Sequence, residues 1–407
     1  MWDDSFIILQ ADKSMMARKP LVLNINPALL VWARTSLGKS SSEVASELRV
    51  NEKKVQDWES GEEKISLSEM EKVARMYKRP LAAFFLPAPP KELPIPVDFR
   101  TLPEERRKPI SSKTRLAFRK ARRLQALYME LINREINGMA LNLPRAALSD
   151  RPNPEELAER TRELLGISLE AQRNWRNEAV ALNDWRNAVE KRGILVFQMS
   201  MPIEENRGFS LTDGGPSVIV LNLRDSAHGR IFSLFHELGH IILNKGGLCD
   251  MESREESLGE NAGMEIFCNH FAGAVIVPKH DILNLDVVRE KMGRAHFSDR
   301  ELAYIARIFR VSREVALRRL VILGKASREQ YRKKHEEWAA KGRKPQRGGK
   351  VDISKKCIQD KGVLFVSKVL SSHREGRITY NDVADYLGIR VKHMPKLEGL
   401  IKGKSSK

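Results

Sequence analysis

Apolar positions recur every third or fourth residue through much of this chain, which reads as mainly helical. Between Asn26 and Phe85 the spacing predicts five short helices. Pro27 suits the first turn of one running through Leu29, Leu30 and Trp32 to Leu37, where Gly38 stops it. Ser41 or Ser42 caps a second over Glu43 to Leu48, and Asn51 caps a third from Glu52 to Ser60 before Gly61. Val44, Ala45, Leu48, Val55 and Trp58 have the spacing of one shared core, which makes this pair a helix-turn-helix. Ser66 opens a fourth helix carrying Met70, Val73 and Met76, and Pro80 opens a fifth through Phe84 and Phe85.

Prolines 87, 89, 90, 94, 96, 103 and 109 then mark a stiff extended linker. An amphipathic helix is expected over about 112–135, apolar at Leu116, Leu124, Leu127, Leu131 and Ile132 and basic in its first half. Residues 154–192 read as helical again. Period two takes over in Ile194 to Phe197, Gly208 to Leu211 and Val218 to Leu221, which predict a small antiparallel sheet. Two largely apolar helices follow, one around Ile231 to Leu243 and one over Glu265 to Val277, stopped by Pro278. Leu302, Ala306, Phe309, Val315 and Leu320 fit further core helices. Residues 341–350 alternate basic residues with glycine, and a last helix is capped by Thr379 and stopped by Gly388.

The fold class is therefore mainly α (α+β), with an N-terminal five-helix domain, a domain built on a small sheet, and a helical C-terminal region. The boundaries expected are 21–86 for the helix-turn-helix domain, 87–110 for the Pro-rich linker, and 111–325 for the central domain. A basic linker over 326–356 and a small basic C-terminal module over 357–407 complete the chain.

The charge changes this picture. The net +18 is concentrated in residues 301–407, with about 27 Lys/Arg against 11 Asp/Glu. Such a field attracts a polyanion, most plainly nucleic acid. Residues 24–85 are nearly balanced, about ten basic against nine acidic, so the helix-turn-helix lacks the usual basic footprint. Cys249, Cys268 and Cys357 share no disulfide or metal spacing, which suits the cytoplasm, and no apolar run approaches a membrane span. Met1 to Asp4 is acidic where a signal peptide would be basic.

The candidate chemistry lies in Phe235-His236-Glu237-Leu238-Gly239-His240. On a helix His236 and His240 project from one face, one turn apart, and can grip a single Zn²⁺. Glu237 is placed to take a proton from the attacking water. A third, carboxylate ligand is needed downstream; by distance Glu255, Glu256, Glu260 and Glu265 all compete. His228 and His270 are candidates for stabilising an oxyanion.

HELGH followed by Glu265-x-x-Cys268-Asn269-x-Phe271-Ala272 and Pro278 resembles the ImmA/IrrE family of zinc metallopeptidases, with Cys268 where alanine is usual. That resemblance assigns the third ligand to Glu265 and the general base to Glu237, and implies an endopeptidase using Zn²⁺, for which Mn²⁺ can substitute. The pattern Val55-x-x-Trp58-Glu59-x-Gly61 resembles the XRE/Cro/C1-type repressor fold. It implies DNA as a partner, read by Asn51, Lys53, Lys54 and Gln56 and supported by the basic C-terminal region. Together the two likenesses imply a cytoplasmic regulatory protease that cleaves a protein substrate, a transcriptional repressor. The alternatives are a DNA-binding or antitoxin-like regulator with a structural or silent metal site, and a ligand-sensing regulator.

Overall fold

The computed structural model describes residues 21–92, 110–132, 152–244, 257–340 and 352–405, which fall in two compact units, Met1–Pro94 and Ile95–Lys407. In the first unit, α1 (Ala28–Ser36), α2 (Ser41–Leu48), α3 (Glu52–Ser60) and α4 (Leu67–Tyr77) are followed by a 3₁₀ turn over Leu81–Phe85. Leu29, Val44, Val55, Trp58, Met70, Val73 and Phe84 form the core. Ser40, not Ser41 or Ser42, caps α2, because its hydroxyl and the Glu43 carboxylate close a reciprocal capping box. Arg49 ends α2 in the left-handed conformation at φ 57°, and Asn51 caps α3 two residues later. Arg34 clamps Glu59 with two hydrogen bonds of 2.7 and 2.8 Å, which ties α1 to α3.

The second unit is organised by three strands, β1 (Leu195–Met199), β2 (Gly208–Leu211) and β3 (Val218–Asn222), in the order β1-β3-β2. The sheet is mixed rather than antiparallel: β2 pairs antiparallel to β3, whereas β1 pairs parallel to it, Leu195 opposite Val218 and Met199 opposite Asn222. The reason lies in residues 200–207, whose turn residues read as a hairpin but carry the chain past β3. Buried Asn222 holds that crossing in place, its amide donating to the carbonyls of Met201 and Asn206.

Helices cover both faces of the sheet, which explains why β1 and β3 are buried throughout. Val196, Ile219 and Leu221 face α8 (Glu178–Glu190), α9 (Ala227–Asn244) and α10 (Ser257–Ile276). Leu195, Phe197, Phe209, Leu211, Val218 and Val220 face α5 (Ser112–Ile132) and the C-terminal helices. These last are α16 (Ile353–Lys361), α17 (Val363–Arg374), α18 (Tyr380–Leu387) and α19 (Met394–Ser405). Phe365 of α17 packs 5.7 Å from the Phe197 ring and 6.3 Å from Tyr128. Residues 357–407, expected by sequence to form a separate small module, instead share the core of the sheet from Cys357 to Ile401.

Two further details differ from the sequence expectation. The helical stretch 154–192 is broken into α6 (Pro154–Leu165), α7 (Leu169–Asn174) and α8, with Gly166 in the left-handed region ending α6. Residues 328–340, expected within a basic linker, form helix α15, because Tyr331 and Trp338 give that charged segment an apolar stripe against the core. The Pro-rich linker beyond residue 92 and the basic stretch 341–351 lie outside the described residues, as does the end of the helix expected to reach 135.

One ion network fastens α6 to α10 and to α14 (Arg313–Ile322). The fully buried Arg319 grips Glu155 through two nitrogens at 2.7 and 2.6 Å, and His270 Nε2 lies 2.6 Å from the same carboxylate. Burial alone would raise the Glu155 carboxyl, but His270 and Arg319 outweigh it and hold it at about 2. Because the native value lies below the ordinary 4.5, the network stabilises fully above that pH and loses its contribution as pH falls from there through about 2. We expect Glu155→Gln to cost about 3 kcal/mol near neutrality, since Arg319 keeps its buried charge. In thermal unfolding across pH, the gap to wild type should close in the acid range. A gap independent of pH would remove the network's electrostatic role.

Candidate metal centre

Helix α9 owes its position to apolar residues on nearly every side. Leu234, Phe235, Leu238, Ile241 and Ile242 are all at most 2% exposed, each contributing about 2 kcal/mol of burial. The Phe235 ring meets Trp185 edge-on at 4.8 Å, locking α9 to α8. At its start the Ser226 hydroxyl accepts from the Gly229 amide, and Gly229 leaves the room that the Asp225 carboxylate occupies. Midway, a Cβ on Gly239 would lie 3.1 Å from Cys268 Sγ and 3.3 Å from the Phe271 ring. A glycine there lets α10 approach closely, and that approach brings Glu265 across from the histidines.

The two imidazoles turn their Nε2 atoms toward each other, 3.1 Å apart. Glu265 Oε2 is 3.4 Å from His236 Nε2, and Oε1 is 3.1 Å from His240 Nε2. One ligand atom from each of the three residues falls within 4.8 Å of the others. His236 and His240 are buried, and the Glu265 side chain is one-third exposed, so the cluster opens on one side. Glu255 and Glu256 lie outside the described residues.

The local electrostatics favour a cation. Burial alone would raise the Glu265 carboxyl, but His236 and His240 hold it well below the usual carboxylate range. Burial alone would lower His240, yet Cys268, Glu265 and Glu237 together raise it well above the ordinary imidazole value. Two imidazoles, which a metal would hold in their neutral form in place of a proton, and one carboxylate around an open side are a donor set that fits Zn²⁺.

Glu237 is 3% exposed on the same turn, and its Oε2 accepts a 2.9 Å hydrogen bond from the Ser210 hydroxyl of β2. Alternation along β2 explains this contact. Phe209 and Leu211 enter the sheet's far core, so Gly208 and Ser210 face α9. A Cβ on Gly208 would touch the Val220 carbonyl at 3.0 Å and Glu237 Cγ at 3.6 Å, so this strand is drawn tightly over the site. Ser210 was not singled out from sequence, although the alternation of Gly208-Phe209-Ser210-Leu211 contained the signal.

The remaining candidates lie elsewhere. His270 is engaged by Glu155, and half-buried His228 is lowered by burial, with Glu178 acting in the opposite sense. In the N-terminal unit, Asn51 spends its side-chain oxygen on capping α3, accepting from the Lys53 amide at 2.9 Å. Lys54 is bound to Glu69 at 2.7 Å and lies 3.5 Å from Glu63. Lys53 and Gln56 are exposed.

Residues 189–321, about a third of the chain, match the family model of the IrrE N-terminal-like domain, Peptidase_M78. The matched span holds all three strands, α9, α10, the three clustered residues and Glu237. This region is similar to the IrrE N-terminal-like peptidase domain, a metallopeptidase-like domain. No curated protein matches the chain. Among the described residues, no helix is long and apolar enough to cross a membrane.

Mass spectrometry of purified protein should find about one zinc per wild-type chain, and far less in Glu265→Ala after identical dialysis. Retention of a full equivalent by that variant would exclude Glu265 as a ligand.

Proposed function

We propose that this protein is a zinc-dependent endopeptidase of the HExxH, gluzincin-like type, with His236, His240 and Glu265 as ligands and Glu237 as general base. The reading is carried by one observation: the His-His-Glu cluster has Glu237 beside it, itself held by a serine from the adjacent strand. His236, His240 and Glu265 would hold Zn²⁺ or Mn²⁺, which would supply a Lewis acid for the scissile carbonyl and the attacking water. Glu237 takes the proton of that water and passes it to the leaving amine. Ser210 fixes Oε2 of Glu237, so the carboxylate keeps one orientation through both transfers. Strand β2 pairs only with β3 among the described residues, so an extended substrate adds along its outer edge, next to Glu237.

In this reading the substrate is a protein, a transcriptional repressor, and the XRE-type helix-turn-helix directs the protease to DNA in the cytoplasm. Lys53 and Gln56 are the free contacts on α3, while Asn51 and Lys54 serve the fold first. That division, with the near-neutral charge of residues 24–85, gives weak DNA binding that draws on the basic C-terminal region.

Two measurements test this. In cells carrying the regulated promoter, Glu237→Gln should abolish the regulatory effect while leaving DNA binding intact, and Ser210→Ala should weaken it roughly tenfold through loss of one charged hydrogen bond. An unchanged effect in Glu237→Gln favours the DNA-binding regulator with a silent site. Lys53→Ala should lower DNA affinity and reduce the salt slope by about one, whatever the sequence bound. An unaltered slope would take α3 off the DNA.

A further inference from the structure

Between α8, β1, α9 and the C-terminal helices lies a pocket of about 350 Å³ that peptide hydrolysis does not use. Two guanidinium groups line it. Arg186 of α8 is 3% exposed and donates to the carbonyls of Gln359 at 3.0 Å and Val196 at 2.7 Å, but its buried Nε–H has no partner. Arg230 of α9 donates to the side-chain oxygen of Gln198, and its buried Nε–H is likewise without a partner. Burial lowers the Arg230 guanidinium, and the charge of Arg186 lowers it further. Lys355, exposed on α16, adds a third cation at the rim.

Two like charges sharing a buried wall, each with an unused donor, are costly unless something brings an acceptor and negative charge. Part of the excess is already offset. Glu190 lies 3.8 Å from Arg186 and offsets one of the two buried guanidinium charges. Asp225 and Asp360, which act from further away, are paired with Arg207 and Lys356 outside the pocket. What remains suits a monoanion better than a dianion. The rest of the lining includes Leu182, Ile358, Val363 and Leu400, which offers nothing to a bare inorganic ion but covers an alkyl chain well.

We propose that this pocket binds a small organic monocarboxylate, with its carboxylate against Arg186 and Arg230 and its apolar body against those four side chains. The ligand bridges α9, six residues before His236, and the start of the C-terminal helices. This assignment does not depend on the peptidase reading, and either can fail without the other.

Calorimetric titration of the full-length protein with acetate, butanoate and hexanoate, and with inorganic phosphate for comparison, tests it. Saturable binding that tightens about three- to fourfold per added methylene is expected, with phosphate weaker than hexanoate. Arg230→Gln should weaken hexanoate at least tenfold. Asn183→Trp fills the mouth of the pocket while leaving both arginines and their hydrogen bonds in place, and should abolish binding in a protein with an unchanged circular dichroism spectrum. Absence of saturable binding up to millimolar carboxylate, phosphate binding as tight as hexanoate, or full affinity in Asn183→Trp would each overturn the assignment.

Discussion

The close approach of α9 and α10 is the constraint on which the centre depends. A metal site of this kind needs donors from two helices within a few ångströms, and side chains larger than hydrogen at the crossing would hold the backbones apart. Gly239 meets Cys268 and Phe271 at that crossing, one residue before His240. The same contact explains the charge pattern. Glu265 is driven toward two buried imidazoles, so the carboxylate stays ionised and the histidines gain a counter-charge. On the outer side of α10, Glu155, His270 and Arg319 repeat the logic with a protein cation in place of a metal.

The sheet supplies the second reference plane. With both faces covered, its strands cannot slide without turning polar residues into a core. Ser210 is therefore delivered to Glu237 by the same alternation that buries Phe209 and Leu211. The Ser210–Glu237 contact and the hydrophobic packing are two aspects of one strand register.

Local patterns were legible in the sequence where chemistry is local. Helix caps at Asn51, Ser66 and Thr379 act within one turn, and a histidine pair at i, i+4 needs only helical periodicity. Whatever depended on distant partners was harder to read. The direction of β1 relative to β3 rests on Asn222 gripping a crossover some twenty residues earlier, and no turn signal encodes that. Glu155 reads as an N-terminal helix acid, and only Arg319, far along the chain, gives it a buried partner. Arg186 and Arg230 were two charges among many until folding placed them on one wall. Lys54 had the right spacing for a free recognition residue, but Glu69 takes it up.

The far face of the sheet carries a consequence in time. During synthesis Leu195, Phe197, Val218 and Val220 leave the ribosome well before α16 to α19, whose apolar residues close over them. Until those last helices emerge, the helix cover on that face comes from α5 alone, whose Phe118 ring stacks on Phe209 at 3.9 Å. The order of synthesis thus separates the two halves of this core: the strands are made first, and the helices that close over them are made last.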